Sequence, residues 1–473
     1  MTPADTLAAA PLLVLVGGAC AIILLDLVSA PGPRLLAALG AAVALAAAIV
    51  AAVLGAGEAG FGGALLRDGA ALAITLVVAV ATAASLALAG TYLARESVPA
   101  GEFVALVLLS SAGGVLMAVG GDLVVIFLGL ELLSVPLYVL TALLPRAAHG
   151  DEGALKYFLM GAAASAVLLY GIALVYAATG HYELAALRAV RADPPILPEG
   201  PLILAGLALI VAGLAFKAAL VPFHAWAPDV YESAPTPATA FMAVVAKAGA
   251  FGALLRIVAA TSQTGPAAVD WEVSLAVLAA LTLVLASLAA IGQRRVKRLL
   301  AYSSIAHAGY LSMGSATGVF AGPAVAFYLA VYGALTVGSF GVIALLDNDD
   351  PTFDDLAGLW RHRPLLVLSL GVFLIGLTGL PPTGGFLAKL YVFEAAMRAQ
   401  LLWLVVIGVL ASVVSAAYYF RVLVACFQPG DGMATRSPTP RTGTLVVGVA
   451  ALAVLAAGVV PGPLLDLAQR VTY

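Results

Sequence analysis

The sequence predicts an all-α polytopic membrane protein of about 14 transmembrane helices, with two inverted five-helix repeats that each contain a broken helix. Three observations carry this. The chain is 63% hydrophobic and only 10% charged, with a mean hydropathy of +1.10, whereas a soluble domain is roughly half apolar and a quarter charged. Apolar stretches of about 20 residues, the length that spans a bilayer as helix, recur from end to end. Two of those stretches are interrupted by proline with a lysine close to the interruption.

In chain order, stretches 7–28, 34–54 and 69–93 are the first three helices. Stretches 102–119, 122–143, 153–179, 201–221 and 236–258 make repeat one. Stretches 273–292, 299–318, 323–346, 365–383 with its continuation 384–398, and 402–427 make repeat two, and 442–460 is the last helix. Loops are short except 180–200, 347–363 and 428–441, so no soluble domain has room to fold alone. The predicted organisation is a single membrane domain, 1–473. Within it, 1–95 holds helices one to three, 102–258 repeat one, 273–427 repeat two, and 428–473 the C-terminal loop and helix. Helix seven ends in FKAALVPFHAW, where Pro222 follows Lys217. Five helices later GLTGLPPTGGFLAKLYVF places Pro381, Pro382, Gly384 and Gly385 before Lys389. Five crossings is an odd number, so the second copy is inverted in the membrane. Broken helices at matching positions mark the transport site of many carriers. Irregular backbone at that depth is tolerated only where it is buried or lines a wet cavity.

The net charge of −3 leaves no basic footprint for nucleic acid. Cys20 and Cys426 lie far apart in apolar segments with no CxxC, so no zinc or iron–sulfur ligand set is present and both read as packing residues. The N-terminus lacks the basic region of a signal peptide and reads as a retained first helix. Short-loop Lys/Arg counts favour both termini outside. The inner loops then hold Arg34, Arg95, Arg146, Arg294, Arg295, Lys297, Arg298, Arg361, Arg363, Arg421, Arg436 and Arg441; the outer side holds Arg67, Arg188, Arg191, Arg256, Arg398 and Arg470. The QRRVKR run at 293–298 is the strongest single anchor.

Only five lysines accompany 17 arginines. Arginine stays protonated at any accessible pH, whereas a desolvated lysine can lose its proton near neutrality. Lys217, Lys247 and Lys389 sit too deep for snorkelling, so the alternative to proton transfer is a structural ion pair. Glu131, the one central carboxylate, cannot serve all three. It is expected to pair with Lys217, and Pro136 loosens its helix. Lys156, near Asp151 and Glu152, can either snorkel or join the buried set. His307 titrates near neutral pH and could relay protons between lysine sites, helped by the hydroxyls of Tyr302, Ser303, Ser304 and Tyr310; the bland reading is a hydrogen-bonded core histidine. His224 reads as a loop or interface residue and Asp26 as interfacial. Lys297 reads as solvated in its basic stretch, and DNDDPTFDDL at 347–356 as a solvated acidic loop or docking surface. These residues suggest a relay from Lys217 through Lys247 and His307 to Lys389, with exit to the outer face. The chain has no nucleotide motif and no redox ligands, so the drive must come from a partner or an ion gradient.

Four segments carry a family resemblance that covers nearly the whole chain: GLELLSVPLYVL (129–140), AFKAALVPFHAWAPDVYESAPTPATAF (215–241), VKRLLAYSSIAHAGYL (296–311) and PPTGGFLAKLYVF (381–393). They resemble the antiporter-like chain N family of bacterial NADH–quinone oxidoreductase (respiratory complex I), the homologues of mitochondrial NADH dehydrogenase subunit 2. The resemblance implies a proton-translocating subunit driven by quinone reduction elsewhere. It implies that Glu131, Lys217, Lys247 and Lys389 form a central charged axis, with Lys156 and His307 as members. It also implies chains M, K, J, A and L as neighbours in a bacterial inner membrane, with no cofactor in this chain and with flavin, iron–sulfur clusters and quinone in partner subunits. A subunit of a multisubunit cation/proton antiporter shares these segments, and a structural subunit whose charges only hold helices together is the remaining alternative.

Overall fold

The description rests on a computed structural model and covers residues 2–144, 150–192, 200–262, 271–430 and 440–471. Arg146 and Arg436, counted above for orientation, lie outside the described residues. The helices in chain order are α1 (Pro3–Ser29), α2 (Pro33–Leu54), α3 (Gly69–Glu96), α4 (Ala100–Val119), α5 (Leu123–Ala142), α6 (Gly150–Thr179), α7 (Leu184–Ala192), α8 (Gly200–Ala218), α9 (Trp226–Ser233), α10 (Thr236–Thr261), α11 (Trp271–Ile291), α12 (Val296–Ser315), α13 (Ala321–Ala344), α14 (Leu359–His362), α15 (Pro364–Thr378), α16 (Gly384–Arg398), α17 (Leu402–Phe427), α18 (Arg441–Val459) and α19 (Gly462–Gln469).

Among the described residues, twelve helices are individually long and apolar enough to cross a membrane. The two remaining predicted spans fall short for different reasons. α12 has 20 residues but spends its apolar positions on Ser303, Ser304, His307 and Tyr310. The other span is divided between the 15-residue helices α15 and α16. Polarity and discontinuity at membrane depth both cost free energy, and both coincide with the segments singled out for chemistry.

α10 lies at the centre, with its whole apolar window buried, whereas only 28% of the window of α1 and 22% of that of α18 are buried. A helix that is apolar all round belongs inside. Neighbour relations recur at an offset of five spans. α4 packs on α5 and on α10, as α11 packs on α12 and on α17. α5 packs on α6 as α12 on α13, and α8 on α10 as α15 on α17. Small residues permit the closest approaches: a Cβ on Gly206 of α8 would come within 2.8 Å of the Gly171 carbonyl on α6, and one on Gly171 within 2.6 Å of the Gly206 carbonyl. In lipid, such contacts rather than the hydrophobic effect hold helices together.

Two expectations need correction here. Lys297 is not solvated: it is fully buried, and its ammonium donates to Asp349 at 3.0 Å and to the Ala234 carbonyl at 2.8 Å. The acidic loop is accordingly folded against the membrane domain, with Val296 N–H bonded to the Pro351 carbonyl and Arg295 paired to Asp350. Burying the start of α12 forces its cation to take an anion with it. Arg256, counted above on the outer side, lies in α10, within the predicted stretch 236–258. It is buried and grips both carboxylate oxygens of Asp68 at 2.8 and 2.9 Å.

Candidate functional site

Two helix breaks position the outer lysines. α8 stops at Ala218, and Ala219 takes a left-handed φ of 59° ahead of Pro222. Proline disfavours helix in the residue before it and offers no N–H. The freed groups find partners from elsewhere: the Val221 N–H donates to Thr282 Oγ1 at 3.0 Å, and the indole of Trp226 donates to the Phe216 carbonyl at 2.9 Å. α15 ends at Gly379, whose φ of 87° suits a residue without a side chain. Its freed Thr378 carbonyl accepts from Lys389 itself at 2.9 Å. Lys217 lies in the last turn of α8, and the Lys389 ammonium sits at the C-terminus of α15. Both charges therefore occupy the negative end of a half-helix dipole.

Lys217, Lys247, His307 and Lys389 are all buried, none more than 4% exposed. Lys217 donates to Ser134 Oγ at 2.8 Å and to Tyr157 OH at 3.1 Å. Lys247 donates to Ser304 Oγ at 2.6 Å and reaches Tyr231 OH at 3.5 Å. It lies 5.9 Å from the ring centres of Tyr231 and Tyr332. Ser304 in turn contacts Tyr332 OH at 2.7 Å. His307 is held between Tyr328 OH at 2.7 Å on Nδ1 and Tyr419 OH at 3.5 Å on Nε2, and Tyr419 also contacts Ser303. Lys389 donates to Ser412 Oγ at 2.8 Å, which contacts Tyr310 OH at 2.9 Å; the Tyr310 ring lies 4.5 Å below the ammonium. The His307 ring is 5.3 Å from that of Tyr332 and 5.9 Å from that of Tyr310, so it stands between the Lys247 and Lys389 clusters.

Among the described residues, then, none of the three central lysines forms an ion pair. Hydroxyls, carbonyls and ring faces solvate them. A hydroxyl accepts from an ammonium and can donate to a neutral amine, so the hydroxyls accommodate either protonation state, while the ring faces favour the charged one.

The expected Glu131–Lys217 contact is not made. Glu131 is half-buried, and its Oε1 has no hydrogen-bond partner among the described residues. It sits one turn before Ser134 on α5, and Ser134 occupies Lys217 instead. Lys156 stands apart: its side chain is 45% exposed and pairs with Glu152 at 2.7 Å and Asp229 at 3.1 Å. Asp229 also binds Arg298, which binds Glu232, so Lys156 belongs to a charged network that joins α6, α9 and α12. His224 lies in the break after α8, half-buried, with Nδ1 unpartnered among the described residues. Asp26 is half-buried in the last turn of α1. The hydroxyl shell of Tyr157, Tyr231, Tyr328, Tyr332, Tyr419 and Ser412 went unread in the sequence. Spacing was the available signal, since Tyr328 and Tyr332 lie four apart and face one side of α13. No cluster of three His, Cys, Asp or Glu able to hold a metal occurs among the described residues.

A helical membrane domain with two broken helices and a buried cationic axis defines an antiporter-like ion-translocating subunit. Residues 120–415 match the family described as NADH:quinone oxidoreductase/Mrp antiporter, TM. NADH-quinone oxidoreductase subunit N of Salinibacter ruber is 43% identical, over 82% of this chain and 81% of that one. Subunit N of Chloroflexus aggregans is 38% identical, over 99% and 97%. In the solved structure of respiratory complex I from Thermus thermophilus with bound aureothin, one chain is 37% identical with a TM-score of 0.83, covering 96% of this chain and 98% of that one. The chain belongs to the subunit N family of NADH-quinone oxidoreductase.

Proposed function

We propose that this chain serves as the N-type proton-translocating membrane subunit of a bacterial NADH–quinone oxidoreductase, and that Lys217, Lys247, His307 and Lys389 carry the proton. The observation that carries this reading is the solvation of three buried lysines by hydroxyls and carbonyls in place of carboxylates. Without a carboxylate to lock them charged, buried lysines can give up and regain a proton near neutral pH. The proton passes from Lys217 toward Lys247 and His307, then to Lys389 and on past Ser412, with water bridging the gaps between hydroxyl clusters. Glu131 acts on Lys217 through its field, and a closed Glu131–Lys217 pair belongs to another step of the cycle. Lys156 tunes the inner mouth through Asp229.

Each proton moved against the membrane potential costs about 2.3 kcal/mol per 100 mV. That energy comes from quinone reduction in other subunits, which also hold the flavin and the iron–sulfur clusters. Chains M, K, J, A and L are the neighbours, the location is the bacterial inner membrane, and both termini face outward. The five-span offset in packing supports two inverted repeats, 102–258 and 273–427. The test is Lys217→Ala in the assembled complex, reconstituted in proteoliposomes. Protons pumped per NADH oxidised should fall, and unchanged pumping would sink the reading.

A further inference from the structure

A polar seam runs between α12 and α13. On α12, Lys297, Leu300, Ser304 and His307 follow the spacing i, i+3, i+7, i+10. On α13, Tyr332, Thr336 and Ser339 follow i, i+4, i+7. Each set shares one helix face. Ser304, Tyr332, Thr336 and Ser339 line a cavity between the two helices of about 10 Å³, room for about one water. Leu300 and Phe340 also line it and form its apolar plug. At its deep end the seam adjoins Ser304, which bonds Lys247. At the other end, at the start of α12, lies the buried Lys297–Asp349 pair. The other Asp349 oxygen accepts from the Thr236 hydroxyl, and the Thr236 N–H lies 3.4 Å from Tyr92 OH. Thr236 opens α10, the helix that carries Lys247. A lysine and an aspartate are thus latched to each other at the head of α10 and α12, the helices that carry Lys247 and His307, with no transport role assigned to either. Seven residues of α12, about 10 Å of rise, separate Lys297 from Ser304.

We propose that the proton bound for Lys247 enters at Asp349 and travels the α12–α13 seam. Lys297 first swings off Asp349. The carboxylate takes a proton from solvent and becomes a carboxylic acid. It releases that proton to water in the seam, which delivers it to the neutral amine of Lys247; Asp349 is again a carboxylate and Lys297 closes on it. In the closed state burial would push the Asp349 carboxyl up, but Lys297 and the Thr236 hydroxyl outweigh that and hold it below the usual carboxylate range. The latched carboxylate therefore carries no proton, and entry requires opening. The proposal rests on the reading of Lys247 as part of the proton path.

The experiment uses the assembled complex in membrane vesicles, with Lys247→Ala, Asp349→Asn and Asp349→Glu compared for protons pumped per NADH. Separately, Ser339→Cys and Val337→Cys, in a Cys20→Ser, Cys426→Ser background, are labelled with N-ethylmaleimide during turnover. A wet seam predicts labelling at 339 at least about tenfold faster than at 337, which lies buried on the opposite side of α13. It also predicts lost pumping in Asp349→Asn and recovery in Asp349→Glu. If Lys247→Ala fails to pump while Asp349→Asn pumps normally, or 339 labels no faster than 337, the entrance is wrong and the lysine path stands. If Lys247→Ala pumps normally, the path itself is wrong and the entrance falls with it. Should Asp349→Asn fail to assemble, the labelling ratio decides.

Discussion

A buried lysine solvated by hydroxyls differs from one locked in an ion pair in a way that substitution can expose. Arginine keeps the positive charge of Lys217 but cannot give up a proton. Lys217→Arg should therefore assemble yet pump about as poorly as Lys217→Ala, a loss of roughly tenfold or more if the lysine acts in proton transfer. Normal pumping by the arginine variant would mean that only the charge matters. Ser134→Ala removes one of the two hydroxyls on Lys217 and leaves Tyr157. A weaker effect is expected, a few-fold slowing of NADH-driven pumping with assembly intact, since Tyr157 still bonds the lysine. The lysines themselves were legible in the sequence because five among 17 arginines is a conspicuous economy. Their partners were not: a tyrosine in an apolar stretch reads as packing until a neighbouring helix brings an ammonium to its hydroxyl.

At the scale of the element, α10 is held at both ends by buried charge. Asp349, with Lys297, binds its first residue Thr236, and Asp68 grips Arg256 nine residues beyond Lys247. Arg256→Met should lower the apparent melting temperature of the detergent-solubilised complex by destabilising the Asp68 end by about 2 kcal/mol. An unchanged melting curve would show that the clamp is not needed. Burial raises the Asp68 carboxyl, but Arg256 more than offsets it and the net shift is downward from 3.8. A carboxyl lowered in the folded state contributes stability above its unfolded value and loses it as pH falls through the lowered one. The difference in melting temperature between the parent and Arg256→Met should thus be full at neutral pH, where Asp68 is charged in both, and be lost once pH falls well below about 4 and Asp68 is protonated in both. A difference that persists unchanged at that acidity would contradict this. The breaks in α8 and α15/α16 were visible in the sequence because proline and glycine advertise them. That Trp226 and Lys389 cap the freed carbonyls was not, because a cap is made across the break by a residue whose distance in space no local rule supplies.

At the scale of the whole molecule, the proposed proton path needs a drive from partner subunits. A tag on this chain should co-purify, in mild detergent, flavin and iron–sulfur subunits of the oxidoreductase together with its other antiporter-like chains. Recovery of small hydrophobic antiporter subunits alone would move the drive to an ion gradient and recast the same lysines as an exchange path. The fold class followed from composition and the spacing of apolar stretches, because bilayer thickness and the need to satisfy every backbone group leave helices as the solution for such a sequence. So did the burial of Lys217, Lys247, His307 and Lys389, because charge at that depth is costly enough to stand out one residue at a time. Only the tertiary structure decided what those charges meet. It replaced the expected Glu131–Lys217 contact with Ser134 and Tyr157, set Lys156 in an interfacial network, and buried Lys297 on Asp349. Whether a polar side chain finds an anion, a hydroxyl or water depends on which helix faces pack together, and that is settled by close packing over the whole bundle rather than by any residue's own neighbours in sequence.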